Sequence, residues 1–259
     1  MSKYWQDRAA ASQAKLTNKS IKQVENQMKI YYSQAMKRAI SDFEATYNKL
    51  FATMAQGKEP TPADLYKLDK YWEMQGQLRR ELQKLGDRQI SALSKAFEMN
   101  FFEIYLSINV EGKQAFSTID KKGATQLINS IWAADGKAWS QRIWDNITKL
   151  INTLNEGLLQ CVATGKKPSE LKKILQNRFN VSYHQASTLV RTELAHVQTE
   201  AAKKRYEDYG IQRLQFWADE DERRCEECGK LHKKVYNVGE HIPLPLHPNC
   251  RCSIVPVIE

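Results

Sequence analysis

The sequence lacks the long apolar run that a membrane span requires. No stretch approaches the ~18 consecutive apolar residues of a transmembrane helix. The first residues, MSKYWQDRAAASQAKL, are charged and amphipathic and contain no signal-peptide core. Internal repeats and low-complexity tracts are also absent. We therefore expect a soluble protein with no membrane span, which stays in the compartment where it is made.

The motifs of the common hydrolases and nucleotide-binding enzymes are missing as well. The chain has no H-E-x-x-H, no G-x-x-x-x-G-K-[ST] loop and no G-x-S-x-G elbow. None of its five histidines supplies the H-x-E and downstream C-x-x-C of zinc deaminases. A nuclease built on His232 and His241 is an alternative that no spacing supports. We expect no enzymatic activity.

Positive charge is in excess, but only in the first four fifths of the chain. The formal net charge is +9. Residues 211–259 hold 7 Lys and Arg against 8 Asp and Glu, whereas residues 1–210 hold 32 against 22. Such an excess fits either an ordinary solvated surface or contact with an anionic partner such as DNA.

Apolar residues in the N-terminal half recur at helical spacing. From Ile21 they follow steps of three and four, which predicts one long helix ending near Ala55. GKEPTP interrupts the pattern, and Thr61 followed by Pro62 is typical of a new helix start. This second helix is expected to pause at Gly86, before a third segment over residues 87–109 that is rich in aromatic residues.

The second half predicts further helices and then short strands. An apolar stripe runs from Trp139 to Leu158, a short helix is expected from Pro168, and Ser182 is a candidate cap for the next helix. Gly210 is expected to end that helix. Alternation in IQRLQFWA predicts a strand, and KKVYNV and SIVPVIE are typical of two more.

The predicted fold class is therefore mainly α. We expect an elongated helical body followed by a small α+β C-terminal tail over residues 211–259 with a zinc-knuckle-like Cys/His cluster. Residues 1–135 are predicted to form a helical N-terminal region, made of the long helix and a helical hairpin. Residues 136–259, which include the tail, form the second region.

Four of the five cysteines lie in the tail. Cys225 and Cys228 have the two-residue gap of a zinc knuckle, and Gly229 can take the left-handed conformation that such a turn often needs. Downstream, HPNCRC offers His247, Cys250 and Cys252. Two ligands from each side would make a closed tetrahedral site, so we predict a structural zinc ion held by four of these five residues.

The residues alone leave the choice between His247 and Cys252 open. Reduced cysteines packed as small hydrophobic side chains, or a disulfide formed in an oxidising setting, are alternatives to the metal. A tail of this size with four prolines and few aliphatic residues is not expected to form a sufficient core by itself. Zinc would replace that core. Cys161 stands alone in a helical stripe, which core packing explains.

The combined motifs of residues 140–259 resemble the phage Mu F-like minor head proteins, the head-morphogenesis family of tailed phages. The resemblance is carried by an Arg-Thr-Glu helix at residues 191–193, a strand with Trp217 and an acidic turn with Asp221, the Cys-x-x-Cys pair, and the final His-Pro-Asn-Cys-Arg-Cys at residues 247–252. The acidic stretch DEDERR is longer and more charged than is usual in this family. Residues 1–135 carry no motif that we can assign.

The resemblance implies a minor capsid component that associates with the portal protein and acts in head assembly, DNA packaging or DNA ejection. Packaged DNA, scaffold and major capsid protein are further possible partners. The implied location is the virion, inside the capsid or at the portal vertex, with the host cytoplasm during assembly.

Two other functions are alternatives to a structural head protein. One is a zinc-dependent nuclease or toxin-like effector, and the other is a DNA-binding module without sequence preference. Within the Arg-Thr-Glu helix, Arg191 and Glu193 are predicted to form a buried ion pair that orients the tail on the helix. Their alternative role is to line an active site.

Overall fold

The computed structural model describes residues 3–53, 59–110, 112–219 and 224–258. Over these ranges the protein is mainly helical with a small antiparallel sheet near the C-terminus, as predicted. The elements are α1 (Lys3–Thr53), α2 (Pro62–Tyr66), α3 (Asp69–Ser107), α4 (Lys121–Ile128), α5 (Trp139–Ala163), α6 (Pro168–Asp208), β1 (Arg213–Trp217), α7 (Glu226–Leu231), β2 (Val235–Asn237) and β3 (Ser253–Pro256). Among the described helices, none has an apolar stretch long enough to cross a bilayer.

The chain forms two compact units, each assembled from separate stretches of sequence. We call residues 1–25, 92–139 and 187–259 the sheet unit, and residues 26–91 and 140–186 the bundle unit. Three long helices, α1, α3 and α6, contribute residues to both units. The expected division near residue 135 stays a prediction, because compact units need not coincide with regions of shared ancestry.

The bundle unit has a core of aliphatic and aromatic side chains from its four long helices. Fully buried members include Phe43, Tyr47, Leu82, Leu154 and Leu175. Cys161 is buried among them and its carbonyl accepts the Tyr47 hydroxyl at 3.4 Å, which agrees with its predicted packing role.

Gly86 does not interrupt α3, contrary to our expectation. The helix runs from Asp69 to Ser107 without a break. A Cβ atom added at Gly86 would lie 2.5 Å from the ring of Trp144. The glycine therefore permits the close approach of α5 to α3, and packing against Trp144 offsets its low helix propensity.

Ser182 does not begin a new helix, so this prediction was also wrong. It lies inside the continuous helix α6, with its side chain 3.2 Å from the hydroxyl of Tyr32. Buried residues at helical spacing on both sides of it, from Leu171 to Val190, stabilise one uninterrupted helix.

The two predicted helix signals at Thr61 and Gly210 are confirmed. The Thr61 side chain accepts from the backbone of Asp64 in a capping box at the start of α2. Gly210 has φ +67°, and the N–H groups of Gly210 and Ile211 donate to the carbonyls of Glu207 and Tyr206. These two bonds form a Schellman motif, which ends α6.

The sheet unit buries one face of a three-stranded sheet against helices. The strand order is β2-β1-β3, all antiparallel, and the three strands lie where the sequence predicted them. Leu214 and Phe216 of β1 and Ile254 of β3 are fully buried. The side chain of Gln13 donates to the carbonyl of Ile254 at 3.1 Å and to the Tyr206 hydroxyl at 3.3 Å.

The tail is therefore less poor in core than its composition suggested. Its strands share the core of α1 and α6, so a metal ion is not needed to replace a missing core beneath the sheet. Other parts of the tail lack such support. They include the short helix α7 and residues 238–252, which form no helix or strand. A metal would act there.

Candidate metal centre

The first pair of candidate ligands is positioned by the start of α7. Cys225 is the N-cap residue of this helix, and its Sγ accepts the backbone N–H of Cys228 at 3.3 Å. Both sulfurs therefore lie on the same side of the first turn. Gly229 lies within α7 and its φ is not positive, so the expected left-handed turn is not used; a regular helical turn brings the pair together instead.

The second group of candidate ligands is carried by the turn before β3. The Cys250 N–H donates to the His247 carbonyl at 3.1 Å, and Asn249 within this turn has φ +60°. Asparagine tolerates this left-handed conformation better than most residues. Cys250 and Cys252, which follow, are both buried.

The structure brings all five predicted ligands into one cluster. The Nε2 atom of His247 lies 3.3 Å from the sulfur of Cys225 and 3.3 Å from that of Cys228. The sulfurs of Cys228 and Cys250 are 3.9 Å apart. Cys225, Cys228 and His247 form one group with ligand atoms within 4.8 Å of one another, and Cys228, Cys250 and Cys252 form a second. Cys228 belongs to both.

These separations fit a tetrahedral zinc ion. With zinc bonds of about 2.3 Å to sulfur and 2.0 Å to nitrogen, a regular tetrahedron has ligands about 3.8 Å apart for two sulfurs and about 3.5 Å apart for sulfur and nitrogen. The observed 3.9 Å and 3.3 Å are close to these values. All five cysteines of the chain are free in the structure.

The imidazole of His247 presents the correct atom to the sulfurs. Its Nδ1 lies 2.9 Å from the carbonyl oxygen of Pro248. A carbonyl only accepts, so Nδ1 must carry the proton in this contact, and in the neutral ring Nε2 then has a free lone pair facing Cys225 and Cys228. A backbone carbonyl that fixes the tautomer in this way is typical of metal-binding histidines.

The surroundings favour thiolates at two positions of the cluster. The hydrogen bond from the thiol of Cys252 is the largest of the effects that lower the pKa of Cys250 to about 5. The backbone N–H of Cys228 lowers the pKa of Cys225. Burial raises the pKa of Cys228 to about 12. The lowered pKa values of Cys225 and Cys250 favour the form of each side chain that a divalent cation would stabilise, because a bound metal deprotonates its thiol ligands.

Arg191 and Glu193 do not pair with each other as predicted. Arg191 donates from Nε to Glu25 at 2.7 Å. Glu193, which is buried, accepts from the indole N–H of Trp132 at 3.0 Å. The physical reason is their spacing: side chains two residues apart on a helix point in different directions.

Three of the other residues singled out from the sequence do not join the cluster, and a fourth lies outside the described residues. Trp217 is buried in β1 with its ring centroid 4.9 Å from that of His232, whose Nδ1 accepts the Ala218 N–H at 3.2 Å. His232 is therefore part of the sheet packing, and His241 is exposed. Neither belongs to a candidate metal group among the described residues. Asp221 of the acidic turn lies outside the described residues.

Sequence reasoning missed two contacts that hold the cluster in place. The Thr192 hydroxyl accepts the backbone N–H of Asn249 at 3.1 Å, which attaches the second ligand turn to α6. Arg251 forms an ion pair with Asp219 at 2.9 Å, which joins the same turn to the end of β1. Thr192 was recognised only as part of a motif, and no pattern in the sequence paired it with Asn249.

The comparison with protein families bears on this part of the chain. Residues 152–255 match the family model described as Phage Mu protein F like protein. This stretch is Mu F-like. The match confirms the resemblance predicted from the motifs, and no curated protein or solved structure matches the chain.

The Mu F-like region runs from within α5 to β3. It contains all five candidate ligands and both contacts that hold them, so the cluster is a feature of the matched region rather than of the N-terminal helices.

Proposed function

We propose that the protein is a minor head component of a tailed phage or prophage, and that its Cys/His cluster holds one structural zinc ion. The observation that carries the proposal is the convergence of five metal-binding side chains inside the Mu F-like region. The protein would associate with the portal protein and act in head assembly, DNA packaging or DNA ejection. It would be located in the virion, inside the capsid or at the portal vertex.

The ligand set that we propose is Cys225, Cys228, His247 and Cys250. His247 is included because its Nε2 lies at the same short distance from two of the sulfurs. Cys252 would then be a neighbour that donates a hydrogen bond to the sulfur of Cys250. Such N–H and S–H donors to ligand sulfurs tune a metal site without binding the ion.

Zinc at this position would fix α7 to the turn before β3, and the hydrogen bond between Asn249 and Thr192 attaches that turn to α6. The resulting surface, made of short segments held by the ion, would be a rigid docking site for another head component. Four protein ligands would leave no open position for water, so the proposed site is structural and not catalytic.

Elemental analysis of the purified, reduced chain tests the metal. About one zinc per chain is expected, with loss of zinc in Cys228→Ser and in His247→Ala. Cys161→Ser, which removes a buried cysteine of the bundle unit, is the matched control and should keep it. Retention of zinc by Cys252→Ser supports the proposed ligand set, whereas loss there and retention in His247→Ala would replace His247 by Cys252.

Affinity capture from infected or induced cells tests the head role. A tagged chain is expected to recover the portal protein and to sediment with assembling heads, and scaffold and major capsid protein are the other partners to be sought. Recovery of host enzymes alone would count strongly against the proposal. Plasmid cleavage that depends on a divalent metal and is lost in Cys225→Ser would favour the nuclease alternative instead.

A further inference from the structure

A cleft between α1 and α3 of the bundle unit is lined by three cations and one carboxylate. Its walls are formed by Tyr31, Gln34 and Arg38 of α1 and by Glu81, Lys84 and Arg88 of α3. The cleft lies outside the Mu F-like region. With one carboxylate against three cations, it carries a formal charge of +2.

The cations of this cleft are held in place by their neighbours. Glu81 accepts from Nη1 of Arg38 at 2.6 Å and from Nζ of Lys84 at 2.9 Å. Arg88 donates to the side chain of Gln34 at 3.2 Å, and its guanidinium lies 5.7 Å from the centre of the Tyr31 ring. Side chains that are already oriented lose less conformational entropy when they bind a ligand.

The cations remain accessible despite these bonds. The side chains of Arg38 and Lys84 are 56% and 58% exposed. Each guanidinium has five N–H donors. Arg38 uses only some of them in its contact with Glu81, and Arg88 only some in its contact with Gln34. The cleft can therefore offer charge and hydrogen-bond donors to an anion at its mouth.

The positive charges also form a row. Arg80, Lys84 and Arg88 follow one another at four-residue steps on α3, which places them about 6 Å apart along the helix axis. All three are exposed. A row of cations with Arg38 on the opposite wall suits a linear polyanion better than a single small anion.

The charge of the whole unit agrees with this local arrangement. The bundle unit contains 18 Lys and Arg against 11 Asp and Glu, a formal charge of +7, whereas the sheet unit contains 21 against 19, a charge of +2. Most of the positive excess of the chain is therefore in the unit that contains the cleft.

We propose that this cleft and the adjoining row on α3 bind the phosphate backbone of double-stranded DNA without reading its sequence. The inference rests on the proposed function for the identity of the polyanion. An acidic protein surface is the other class of partner. The cleft favours phosphate because its aliphatic residue Leu85 is buried and the ring of Tyr31 lies beneath the Arg88 guanidinium, which leaves little apolar surface for the anchors that dominate protein interfaces. Guanidinium groups match phosphate geometry.

The test is binding of a short labelled duplex of mixed sequence to the full chain, measured between about 50 and 200 mM salt. The triple variant Arg38→Gln, Lys84→Gln, Arg88→Gln is expected to weaken binding equally for unrelated sequences. It should also reduce the slope of log affinity against log salt by about 2 to 3, roughly one for each cation removed.

The sheet unit supplies a matched control. Lys19, Lys121 and Lys230 are exposed, and each is paired with a glutamate, so their triple change to Gln removes the same charge without touching the cleft. This control should keep most of the slope. Glu81→Gln should act in the opposite direction and strengthen binding several-fold, because it removes the carboxylate beside Arg38 and Lys84. Thermal unfolding and circular dichroism confirm that each variant is folded.

Three results would overturn the inference: no duplex binding at low salt, equal loss of slope in both triple variants, or competition by polyglutamate as effective as that by unlabelled duplex. The last result would assign the cleft to an acidic protein surface. Portal capture separates this inference from the proposed function. A cleft variant that loses DNA binding and still captures the portal protein supports the cleft, whereas failure of the unaltered chain to capture it counts against the head role alone.

Discussion

The hydroxyl of Thr192 lies 3.1 Å from the backbone nitrogen of Asn249 and accepts its N–H. The same hydroxyl donates to the carbonyl of Thr188 at 2.8 Å, so both of its hydrogen-bonding roles are used. Asn249 directly precedes Cys250, and the contact joins the middle of α6 to the turn with the second group of candidate ligands. A threonine in a motif of the Mu F-like region thus has a definite structural task.

Thr192→Val should loosen this turn. The substitution keeps the shape of the side chain but leaves the N–H of Asn249 without its acceptor, which costs about 1 kcal/mol of unfolding free energy. Zinc affinity should fall as well, because the turn that positions His247 and Cys250 becomes less ordered. Urea unfolding and competition with a metal-binding dye measure the two effects.

Thr192→Ser, which keeps the hydroxyl, should restore both properties. Thr199→Val is the control within the same helix, since that hydroxyl donates to the carbonyl of Ala195. It is expected to leave zinc affinity unchanged. Equal zinc affinity in Thr192→Val and the unaltered chain would contradict the proposed task.

Removal of the proposed zinc ion should unfold the tail only in part. The strands β1 and β3 are buried against helices, whereas α7 and residues 238–252 depend on the cluster. A chelator should therefore abolish amide hydrogen-exchange protection in α7 and around Cys250 and leave it in β1. Loss of protection throughout the sheet would mean that the ion holds the whole sheet unit together.

Gly86→Ala should destabilise the bundle unit. The new methyl group would lie 2.5 Å from the ring of Trp144, so the ring or the helix must shift, at a cost of about 1 to 3 kcal/mol. Gly76→Ala in the same helix is the control. There the added atom would meet only the mobile end of Arg80 at 3.3 Å, and the gain in helix propensity should stabilise the chain by roughly 0.5 to 1 kcal/mol. Thermal unfolding of the two variants should show changes of opposite sign.

Much of the fold could be predicted from patterns within single segments. Helical apolar spacing predicted α1 and α5, alternation predicted β1, and local chemistry identified the helix start at Thr61 and the end at Gly210. The two wrong breaks, at Gly86 and Ser182, have one cause. Each residue faces a partner distant in sequence, Trp144 or Tyr32, and no local pattern shows such a partner. The short helix α4 was missed because its eight residues carry few apolar positions.

The candidate site was predictable to a similar extent. Spacing alone identified all five side chains of the cluster, because the two-residue gap of Cys225 and Cys228 and the order of HPNCRC are local features. The partners of Arg191 and Glu193 were not predictable. These partners are Glu25 and Trp132, which are distant from Arg191 and Glu193 in the sequence.

Stability should depend on pH through Asp208. Burial raises the pKa of this carboxyl, but hydrogen bonds from Lys204, Ser117 and Tyr105 together outweigh burial and hold it below its ordinary value. Because the folded-state pKa is the lower one, the contribution of these bonds is complete above about pH 4 to 5 and is lost as the pH falls through the folded value.

Comparison with Asp208→Asn isolates this contribution. The variant should be less stable than the unaltered chain by about 1 to 3 kcal/mol at pH 7. The difference should shrink as the pH falls below about 4, because the unfolded chain then takes up a proton at Asp208 that the folded chain still lacks. Urea unfolding between about pH 3 and 7 measures it, and a difference that stays constant across that range would contradict the assignment.

The proposed zinc ion would close a ring of polypeptide between Cys228 and His247. Lengthening a flexible segment within such a closed loop costs little free energy, since doubling the loop length costs only about 0.6 kcal/mol. Gly239 lies in this ring, in a turn where the N–H of Glu240 donates to the carbonyl of Asn237, and an added Cβ there would meet no atom within 4 Å. A short peptide tag or a fluorophore should therefore be accommodated at Gly239, which offers a way to label the protein and follow it through particle assembly.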